Sequence, residues 1–192
     1  MKIGLFFGSF NPVHIGHMII ANHMVSNTDM DKLWMVVSPH NPLKEKSSLA
    51  KDYDRLHLIN ITIEDDFRLK GSDIEFHLPK PSYTIDTLTY LDEKYPQHEF
   101  VLIMGGDNIA SLHKWKNYEL LLTKYEIYVF ERPGYEMGEL VSHEHVHVVP
   151  GTPLLNISAS YIRKCIKENK SVRYMLPDAV FKYIDGSNMY KK

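Results

Sequence analysis

The chain has 192 residues, of which 44% are apolar and 24% charged, and its formal net charge is −2. This composition is ordinary for a globular protein and argues against a disordered chain, a coiled coil or a repeat array. The small net charge gives no global attraction to nucleic acid or to an anionic membrane. The single cysteine, Cys165, excludes an intramolecular disulfide and favours a reducing compartment. Eleven histidines is the one unusual count.

The chain contains no apolar stretch of about 18 residues or more, which a membrane-spanning helix would need. Its first apolar run, Ile3–Phe10, is interrupted by glycines and followed by polar residues, which does not suit a signal peptide. We therefore expect a cytoplasmic protein without a membrane or nucleic-acid partner.

Short apolar runs without alternation predict strands that are buried on both faces, as in a parallel sheet. There are four such runs: Ile3–Phe7, Lys32–Val37, Phe100–Met104 and Ile127–Phe130. A fifth strand is predicted over His145–Val149.

Three segments between these runs have helical spacing: Gly16–Val25, Asp52–Ile63 and Thr84–Leu91. In the second, apolar residues recur at steps of three or four: Tyr53, Leu56, Ile59 and Ile63. Thr84 is the candidate N-cap of the third. Strands that alternate with helices predict an α/β protein with a doubly wound, mainly parallel sheet.

The last third of the chain is predicted to be helical. Ser158 opens a helix that presents one apolar face: Tyr161, Ile162, Cys165 and Ile166. Pro177 suits the first turn of a final helix. From Tyr161 onward, eight Lys/Arg stand against three Asp/Glu, an excess of five positive charges. We expect one domain over residues 1–192, with a C-terminal helical portion at about 157–186 and a frayed tail after Asp185.

The strongest functional signal directly follows the first predicted strand. It is a ten-residue segment: Gly8-Ser9-Phe10-Asn11-Pro12-Val13-His14-Ile15-Gly16-His17. In open α/β sheets, ligands bind at the carboxyl ends of strands, where helix N-termini attract phosphate. Gly8 would let the backbone approach a ligand, and His14 and His17 would share one helix face. This pattern favours contacts with the phosphates of a nucleotide.

The segment His14-Ile15-Gly16-His17 is similar to the HxGH signature of the nucleotidyltransferase superfamily. The whole ten-residue segment resembles the opening of bacterial nicotinate-nucleotide adenylyltransferases. Five later segments resemble that family in the same order: Pro39–Lys44, Ser82–Leu88, Gly105–Asn108 followed by Trp115, Arg132–Gly134 and Ile157–Arg163. The resemblance implies a Rossmann-like nucleotidyltransferase sheet with C-terminal helices. It also implies transfer of AMP from ATP to nicotinate mononucleotide, giving nicotinate adenine dinucleotide and pyrophosphate in NAD biosynthesis.

The implied reaction places modest demands on the protein. A phosphate monoester has a second pKa of about 6, so the nucleophile is already a dianion near neutral pH and needs no general base. Catalysis then depends on alignment of two anions and on stabilisation of the leaving pyrophosphate. Mg²⁺ is the expected cofactor, bound mainly through the ATP phosphates rather than by a protein metal site.

The resemblance implies four catalytic residues: His14, His17, Lys44 and Arg163. It implies a wider ATP-binding set: Gly8, Ser9, Phe10, His14, Gly16, His17, Lys44, Gly105, Asp107, Ile157, Ser158 and Arg163. Lys44 would reach the β- and γ-phosphates from a loop after the second strand. Ser158 is a good N-cap, and Ser160 and Arg163 share one helix face.

The implied set for nicotinate mononucleotide is Ser9, Tyr83, Thr84, Asp107, Trp115 and Arg132. Trp115 would stack on the pyridine ring, unless it is simply a core residue. Backbone N–H groups of Tyr83 and Thr84 at a helix start would bind the nicotinate carboxylate and favour the acid over the amide. Asp107 would accept from ribose hydroxyls. Arg132 would pair with the phosphate or merely begin the turn at Pro133-Gly134.

Three positions depart from the common family pattern. Asn11 stands where aspartate is frequent, Leu43 where histidine is common, and Ala159 where serine or threonine is frequent.

A separate feature is the alternation of His143, His145 and His147, which could in principle chelate Zn²⁺. No matching fourth ligand is evident, so we interpret these histidines as an exposed strand or loop.

Several alternatives remain open from the sequence. The same chemistry could act on nicotinamide mononucleotide or phosphopantetheine, or the protein could be a non-catalytic nucleotide-binding regulator. An RNA-binding synthetase relative is disfavoured because the chain lacks the length for a tRNA-binding domain. The oligomeric state is open, a homo-oligomer included.

Overall fold

The computed structural model describes residues 1–39, 49–132 and 134–191. Within these residues, six strands form one sheet in which every neighbouring pair is parallel. They are Lys2–Gly8 (β1), Lys32–Val37 (β2), Leu69–Ser72 (β3), Glu99–Gly105 (β4), Ile127–Phe130 (β5) and Val146–Val149 (β6). Their spatial order is β3-β2-β1-β4-β5-β6. The predicted doubly wound α/β fold is thus confirmed.

Helices connect the strands and continue after the last one. They are Ile15–Asn27 (α1), Asp52–Ile63 (α2), Thr84–Lys94 (α3), Gly106–Ser111 (α4), Tyr118–Lys124 (α5), Ala159–Lys167 (α6) and Asp178–Asp185 (α7). Short 3₁₀ helices cover Ile74–His77, Leu112–Lys114 and Glu139–Ser142. Every helix within the described ranges is too short or too polar to cross a membrane.

The strand order reverses at the centre of the sheet. The chain builds outward from β1 to β2 and β3, then returns to place β4 on the other side of β1. In such a sheet, the loops that leave the two central strands diverge and open a crevice at their carboxyl ends. The ten-residue segment after β1 therefore starts at the position where this fold offers a ligand site.

The core consists of two apolar layers, one on each face of the sheet. Alternate residues of β1 enter different layers, with Leu5 in one and Phe6 in the other. Helices α1, α2, α6 and α7 pack on the Phe6 face, and α3 and α5 pack on the Leu5 face. Since both faces are covered, the central strands need apolar side chains at nearly every position, which explains the unbroken runs in the sequence.

All five predicted strands are present, and the sheet adds one that the sequence analysis missed. The extra strand, β3, reads Leu69-Lys70-Gly71-Ser72 and pairs only with β2 at the sheet edge. Its single large apolar residue produces neither an apolar run nor a clear alternation. Its position in the sheet comes from pairing with β2, which local patterns do not reveal.

Two helix faces differ from the predicted ones. On α2, Ile59 is buried and Leu56 and Ile63 pack against the core as predicted, but Tyr53 is exposed, and Arg55 and Leu58 join the buried face. On α6, Ile162, Cys165 and Ile166 are buried as predicted, but Tyr161 is exposed. In α2 the buried stripe includes an arginine, and a hydropathy pattern cannot anticipate that.

The N-cap prediction for α3 was wrong by one residue. Tyr83 has the extended backbone of the cap, and Thr84 is the first helical residue. The Ser158 side chain caps α6, as predicted. Pro177 is the N-cap residue of α7, one position before the first turn in which it was expected.

The tail after Asp185 is docked rather than frayed. Met189 and Tyr190 pack against the apolar layer on the Phe6 face. The Tyr190 hydroxyl donates a 2.7 Å hydrogen bond to Asn11 Oδ1, in the loop after β1. The expectation failed because it considered local sequence alone, whereas the partner of Tyr190 lies at the opposite end of the chain.

Candidate active site

The loop after β1 delivers His14 to the start of α1, where it is the N-cap residue. Its backbone N–H donates to His17 Nδ1 at 3.2 Å. The two imidazole rings stack, with centroids 3.7 Å apart and planes inclined by 26°. The predicted convergence of the two histidines beside a helix N-terminus is therefore present.

Two phenylalanine rings pack against the imidazole ring of His17. Its ring makes edge contacts with Phe10 at 5.0 Å and with Phe6 at 6.3 Å between centroids. Both phenylalanines are buried. The orientation of His17 is thus set by core packing on one side and by His14 on the other.

His14 is only 6% exposed, and burial lowers the pKa of its imidazole to about 4. Its Nδ1 atom is buried and has no hydrogen-bond partner within the described residues. Burial without a partner penalises the charged form. In the ligand-free protein, His14 is therefore neutral near pH 7 and can offer a hydrogen bond rather than a full charge.

Two glycines shape this loop. A Cβ at Gly16 would lie 3.1 Å from the His14 ring, so the missing side chain lets the imidazole lie against the helix start. A Cβ at Gly8 would lie 2.8 Å from the Phe10 ring. Gly8 therefore makes room for the Phe10 ring, and its expected close approach to a ligand stays a prediction.

Phe10 and Ser9 make different contacts in this loop. The Phe10 ring is buried in the core, and its backbone adopts a positive φ of 42°. The Ser9 carbonyl accepts a hydrogen bond from Arg55 Nη1. Of the ATP-binding set, Phe10 can contact a ligand only through its backbone.

Helix α6 brings a guanidinium to the same loop. Arg163 Nη1 donates to the Asn11 carbonyl at 2.8 Å, and Nη2 donates to Ser160 Oγ at 3.3 Å. The predicted shared face of Ser160 and Arg163 is thus present. Ser158 Oγ accepts from the Tyr161 N–H at 3.2 Å, as an N-cap does. Ile157 packs on the core, and its N–H donates to the Leu155 carbonyl.

The lysine loop lies outside the described residues. Lys44, together with His40, Pro42 and Leu43, belongs to the segment 40–48. Lys44 stays a prediction from the resemblance.

On the other side of the crevice, β4 leads into α4 and Asp107. Asp107 Oδ2 accepts from Arg132 Nη1 at 2.8 Å. Its other oxygen, Oδ1, is buried and has no hydrogen-bond partner in the described part of the chain. A Cβ at Gly105 would lie 2.6 Å from this oxygen, so Gly105 lets the carboxylate fold back over the strand end. Two predicted substrate residues, Asp107 and Arg132, are therefore paired with each other.

The Arg132 side of the site borders a cavity of about 480 Å³. The guanidinium lies over the ring of Tyr135, 5.6 Å from its centroid. The cavity is lined by Glu131, Arg132, Gly134, Tyr135, Met137, Thr152 and Leu154. Of the Asp107–Arg132 pair, Arg132 therefore lines this cavity.

The start of α3 and the segment around Trp115 lie close together. Lys116 Nζ lies 4.7 Å from the Tyr83 ring centroid and forms a 2.8 Å ion pair with Asp86. Trp115 is half-buried and packs against the apolar layer on the Leu5 face. The structure thus joins the two predicted pyridine-binding segments, while Trp115 also has the packing of a core residue.

Arg55 is a site residue that the sequence analysis missed. It is fully buried, and its Nη1 atom donates to the carbonyls of Ser9 and Ser38, the latter at 3.0 Å. Its Nε donates to the Ala50 carbonyl at 3.1 Å, and Nη2 pairs with Asp52 at 2.7 Å. Arg55 therefore ties the loop after β1 to the loop after β2. The sequence around an arginine in an amphipathic helix does not indicate such a role.

Glu75 is a second buried residue that was missed. Its Oε1 accepts from Thr87 Oγ1 at 2.9 Å, which links the 3₁₀ helix after β3 to the first turns of α3. Burial raises the pKa of this carboxyl, and hydrogen bonds to Ser38, Thr87 and Ser82 oppose the increase. Glu75 thus anchors the start of α3, where Tyr83 and Thr84 lie.

Two of the three alternating histidines contact the same carboxylate. His145 and His147 both approach Glu126, which lies just before β5. Within the described ranges, no group of three or more His, Cys, Asp or Glu side chains is arranged to hold a metal ion.

A family model described as cytidylyltransferase-like matches residues 5–165. The match begins in β1 and ends in α6, so it includes both histidines and Arg163. The chain belongs to the cytidylyltransferase-like family. Within it, the chain groups with nicotinate-nucleotide adenylyltransferases, as the resemblance implied.

Curated relatives of this family match over nearly the whole length. A protein of Flavobacterium psychrophilum named probable nicotinate-nucleotide adenylyltransferase is 54% identical over 194 residues, covering 100% of both chains. One of Cytophaga hutchinsonii with the same name is 50% identical and covers 99% of this chain and 98% of its own.

Solved structures of the cytidylyltransferase-like fold superpose closely. The nicotinic acid mononucleotide adenylyltransferase of Plasmodium falciparum, complexed with NaAD, aligns with a TM-score of 0.82 at 22% identity. The alignment covers 98% of this chain and 97% of that one. At this identity, the superposition establishes the shared fold.

Proposed function

We propose that the protein transfers AMP from ATP to nicotinate mononucleotide and releases pyrophosphate. The observation that carries this proposal is the stacked pair His14 and His17 at the start of α1. The pair lies at the reversal of strand order, and Arg163 from α6 donates to the Asn11 carbonyl in the same loop. The full-length similarity to relatives named for this reaction supports the choice of substrates.

The chemistry requires alignment more than proton transfer. A phosphate oxygen of nicotinate mononucleotide attacks the α-phosphorus of ATP, and the bond from that phosphorus to the β-phosphate bridging oxygen breaks. Pyrophosphate leaves with the bonding electrons. His14, His17 and Arg163 donate hydrogen bonds to phosphate oxygens and stabilise the charge that accumulates on the leaving group. Lys44 is proposed to act on the same phosphates.

Helix N-termini support the same assignment. The N-terminus of α1 carries the two histidines, and that of α6 carries Ser158, Ser160 and Arg163. Their N–H groups and helix dipoles favour anions. The triphosphate is proposed to lie between the two helix starts, bridged by the Asn11–Arg163 contact.

The acceptor occupies the other side of the crevice in this proposal. Trp115 stacks on the pyridine ring, and the N–H groups of Tyr83 and Thr84 hold the nicotinate carboxylate. Asp107 accepts from ribose hydroxyls, and Arg132 pairs with phosphate. The present Asp107–Arg132 ion pair opens so that each group can engage a substrate.

Mg²⁺ enters with ATP in this scheme. The donors at the site are histidines, arginine and backbone N–H groups, which suit phosphate oxygens, whereas Mg²⁺ prefers oxygen ligands. The ion therefore binds chiefly through the triphosphate and water, and Mg-ATP is the substrate.

The test is pyrophosphate release by purified protein supplied with Mg-ATP and one acceptor at a time. We expect release with nicotinate mononucleotide, slower release with nicotinamide mononucleotide and none with phosphopantetheine. A preference for the amide or the thiol would overturn the choice of acceptor. No release with any of the three would overturn the enzymatic function.

A further inference from the structure

Asn11 lies at a junction of four chain segments. The residue is 3% exposed, and its Oδ1 accepts from the Ala50 N–H at 3.1 Å and from the Tyr190 hydroxyl at 2.7 Å. Its backbone carbonyl accepts from Arg163 at 2.8 Å. One residue of the loop after β1 thus contacts the segment before α2, helix α6 and the C-terminal tail.

The tail reaches Asn11 in an ordered conformation. The Ser187 N–H and hydroxyl both donate to the Ile184 carbonyl at 3.1 Å, and the Met189 N–H donates to Ser187 Oγ at 3.2 Å. These bonds turn the chain after α7 so that Tyr190 packs inward. Burial raises the pKa of the Tyr190 hydroxyl, which therefore stays protonated and donates.

The tail and Arg163 also border the same groove. A cavity of about 500 Å³ lies between α6, the start of α2 and the tail. Arg163 and Lys167 line it from α6, and Met189 and Tyr190 line it from the tail. A change in tail position therefore alters the surroundings of Arg163 directly.

We propose that Tyr190 is a positioning residue for ATP and that residues 187–191 form a C-terminal clamp on the phosphate-binding loop. The Tyr190 hydroxyl holds the Asn11 side chain, and Asn11 in turn presents its carbonyl to Arg163. Together, these two contacts fix the position of the loop that leads to His14 relative to the Arg163 guanidinium on α6. The inference rests on the proposed function, since it concerns the ATP side of the same site.

The geometry predicts a selective kinetic effect. The clamp contacts the loop after β1 and α6, whereas Tyr83, Trp115 and Arg132 lie on other segments. Loss of the Tyr190 hydroxyl should loosen the alignment of the triphosphate and leave the acceptor groups in place. The KM for ATP should therefore change, and the KM for nicotinate mononucleotide should not.

The experiment compares wild-type protein with Tyr190→Phe, which keeps the ring and removes the hydroxyl. Tyr174→Phe is the matched control, because Tyr174 is 89% exposed and lies outside the clamp. We expect kcat/KM for ATP to fall about 3- to 10-fold in Tyr190→Phe, the range for one lost hydrogen bond. The KM for nicotinate mononucleotide should stay within about twofold of wild type, and Tyr174→Phe should match wild type in both.

A second variant separates positioning from folding. Deletion of residues 188–192 should reproduce the ATP effect in folded protein, as judged by circular dichroism and Tm. If Tyr190→Phe lowers Tm but leaves the KM for ATP and kcat unchanged, the role is only structural and the proposal is overturned. An equal rise in the KM values for both substrates would also overturn it.

A measurement of ATP binding in the absence of acceptor distinguishes failure of the clamp proposal from failure of the proposed function. We expect Mg-ATP to raise the Tm of wild-type protein more than that of Tyr190→Phe at the same concentration. If wild-type protein binds ATP but forms no product, the proposed function fails and the difference in Tm rise still tests the clamp. Equal rises in both proteins, or none in either, would overturn the clamp.

Discussion

The two sides of the crevice are built differently. On the side proposed to bind ATP, which we call the ATP side, Asn11, His14 and Arg55 are almost inaccessible to solvent. On the other side, proposed to bind the acceptor, polar groups are paired with each other near the surface, as in Asp107–Arg132 and Asp86–Lys116.

The difference follows from what each side must bind. A buried network holds its donors in place before the ligand arrives, which lowers the cost of binding a flexible triphosphate. Exposed ion pairs contribute only about 0–1 kcal/mol each, so a ligand can replace them at little cost. We therefore expect substitutions of the buried groups on the ATP side to lower stability, substitution of a phosphate donor there to lower turnover, and substitutions on the acceptor side to affect mainly binding.

The largest effect is expected for Arg55→Met. The change leaves the Asp52 carboxylate and the carbonyls of Ser9 and Ser38 without their buried partner. We expect a loss of about 3–5 kcal/mol in the free energy of unfolding, measured by urea denaturation. The control is Arg68→Met, which breaks the more exposed Asp66 pair and should cost about 1 kcal/mol or less. Similar losses for the two variants would contradict the buried network.

The next effect concerns turnover rather than stability. His17→Ala should lower kcat about 100- to 1,000-fold, as expected for one donor to a developing charge. The stability loss should be only about 1 kcal/mol, since the ring is half-buried against Phe10 and His14. His23→Ala on the same helix is the control, with unchanged kcat. A large loss of stability with unchanged kcat would make His17 a core histidine instead.

The pH dependence of stability gives a smaller, graded effect. The pKa of His14 is about 4 in the folded protein and about 6.5 in the unfolded chain, so the unfolded state binds the extra proton between these values. Stability should therefore fall as pH drops from about 6.5 towards 4, by at most about 1.4 kcal/mol per pH unit from this group. Urea denaturation at pH 7 and pH 5 measures the slope. His14→Asn should reduce it, and an identical slope in both proteins would exclude His14 as the source.

The smallest effect on stability is expected for Arg132→Ala. The Asp107 pair is half-exposed, so its loss should change the free energy of unfolding by less than about 1 kcal/mol. The KM for nicotinate mononucleotide should nevertheless rise about tenfold, because the phosphate loses a charged donor. Lys124→Ala, which breaks an exposed pair with Asp92, is the control and should leave KM unchanged. A rise in the KM for ATP alone would assign Arg132 to the other side of the crevice.

Local patterns predicted most of the sheet and the centre of the site. Buried parallel strands need uninterrupted apolar residues, so β1, β2, β4 and β5 were visible as runs. His14 and His17 were found because their function depends on a spacing within one helical turn. Both features are encoded within a few neighbouring residues.

Long-range contacts account for what the patterns missed. Strand β3 is short and polar, and it forms only because β2 offers an unpaired edge. Arg55 looks like an ordinary charged residue of a helix until the loops after β1 and β2 close around it. Tyr190 is separated from Asn11 by 179 positions, and no periodicity spans that distance.

The sequence by itself determined the parallel α/β architecture, the family and the pair of histidines, because hydrophobic periodicity and a helical turn are local properties. Only the tertiary structure decided which polar groups are buried and what they hold. Arg55, Glu75 and Tyr190 acquire their roles when distant segments meet, since most buried polar groups need a hydrogen-bond partner and here distant segments supply it.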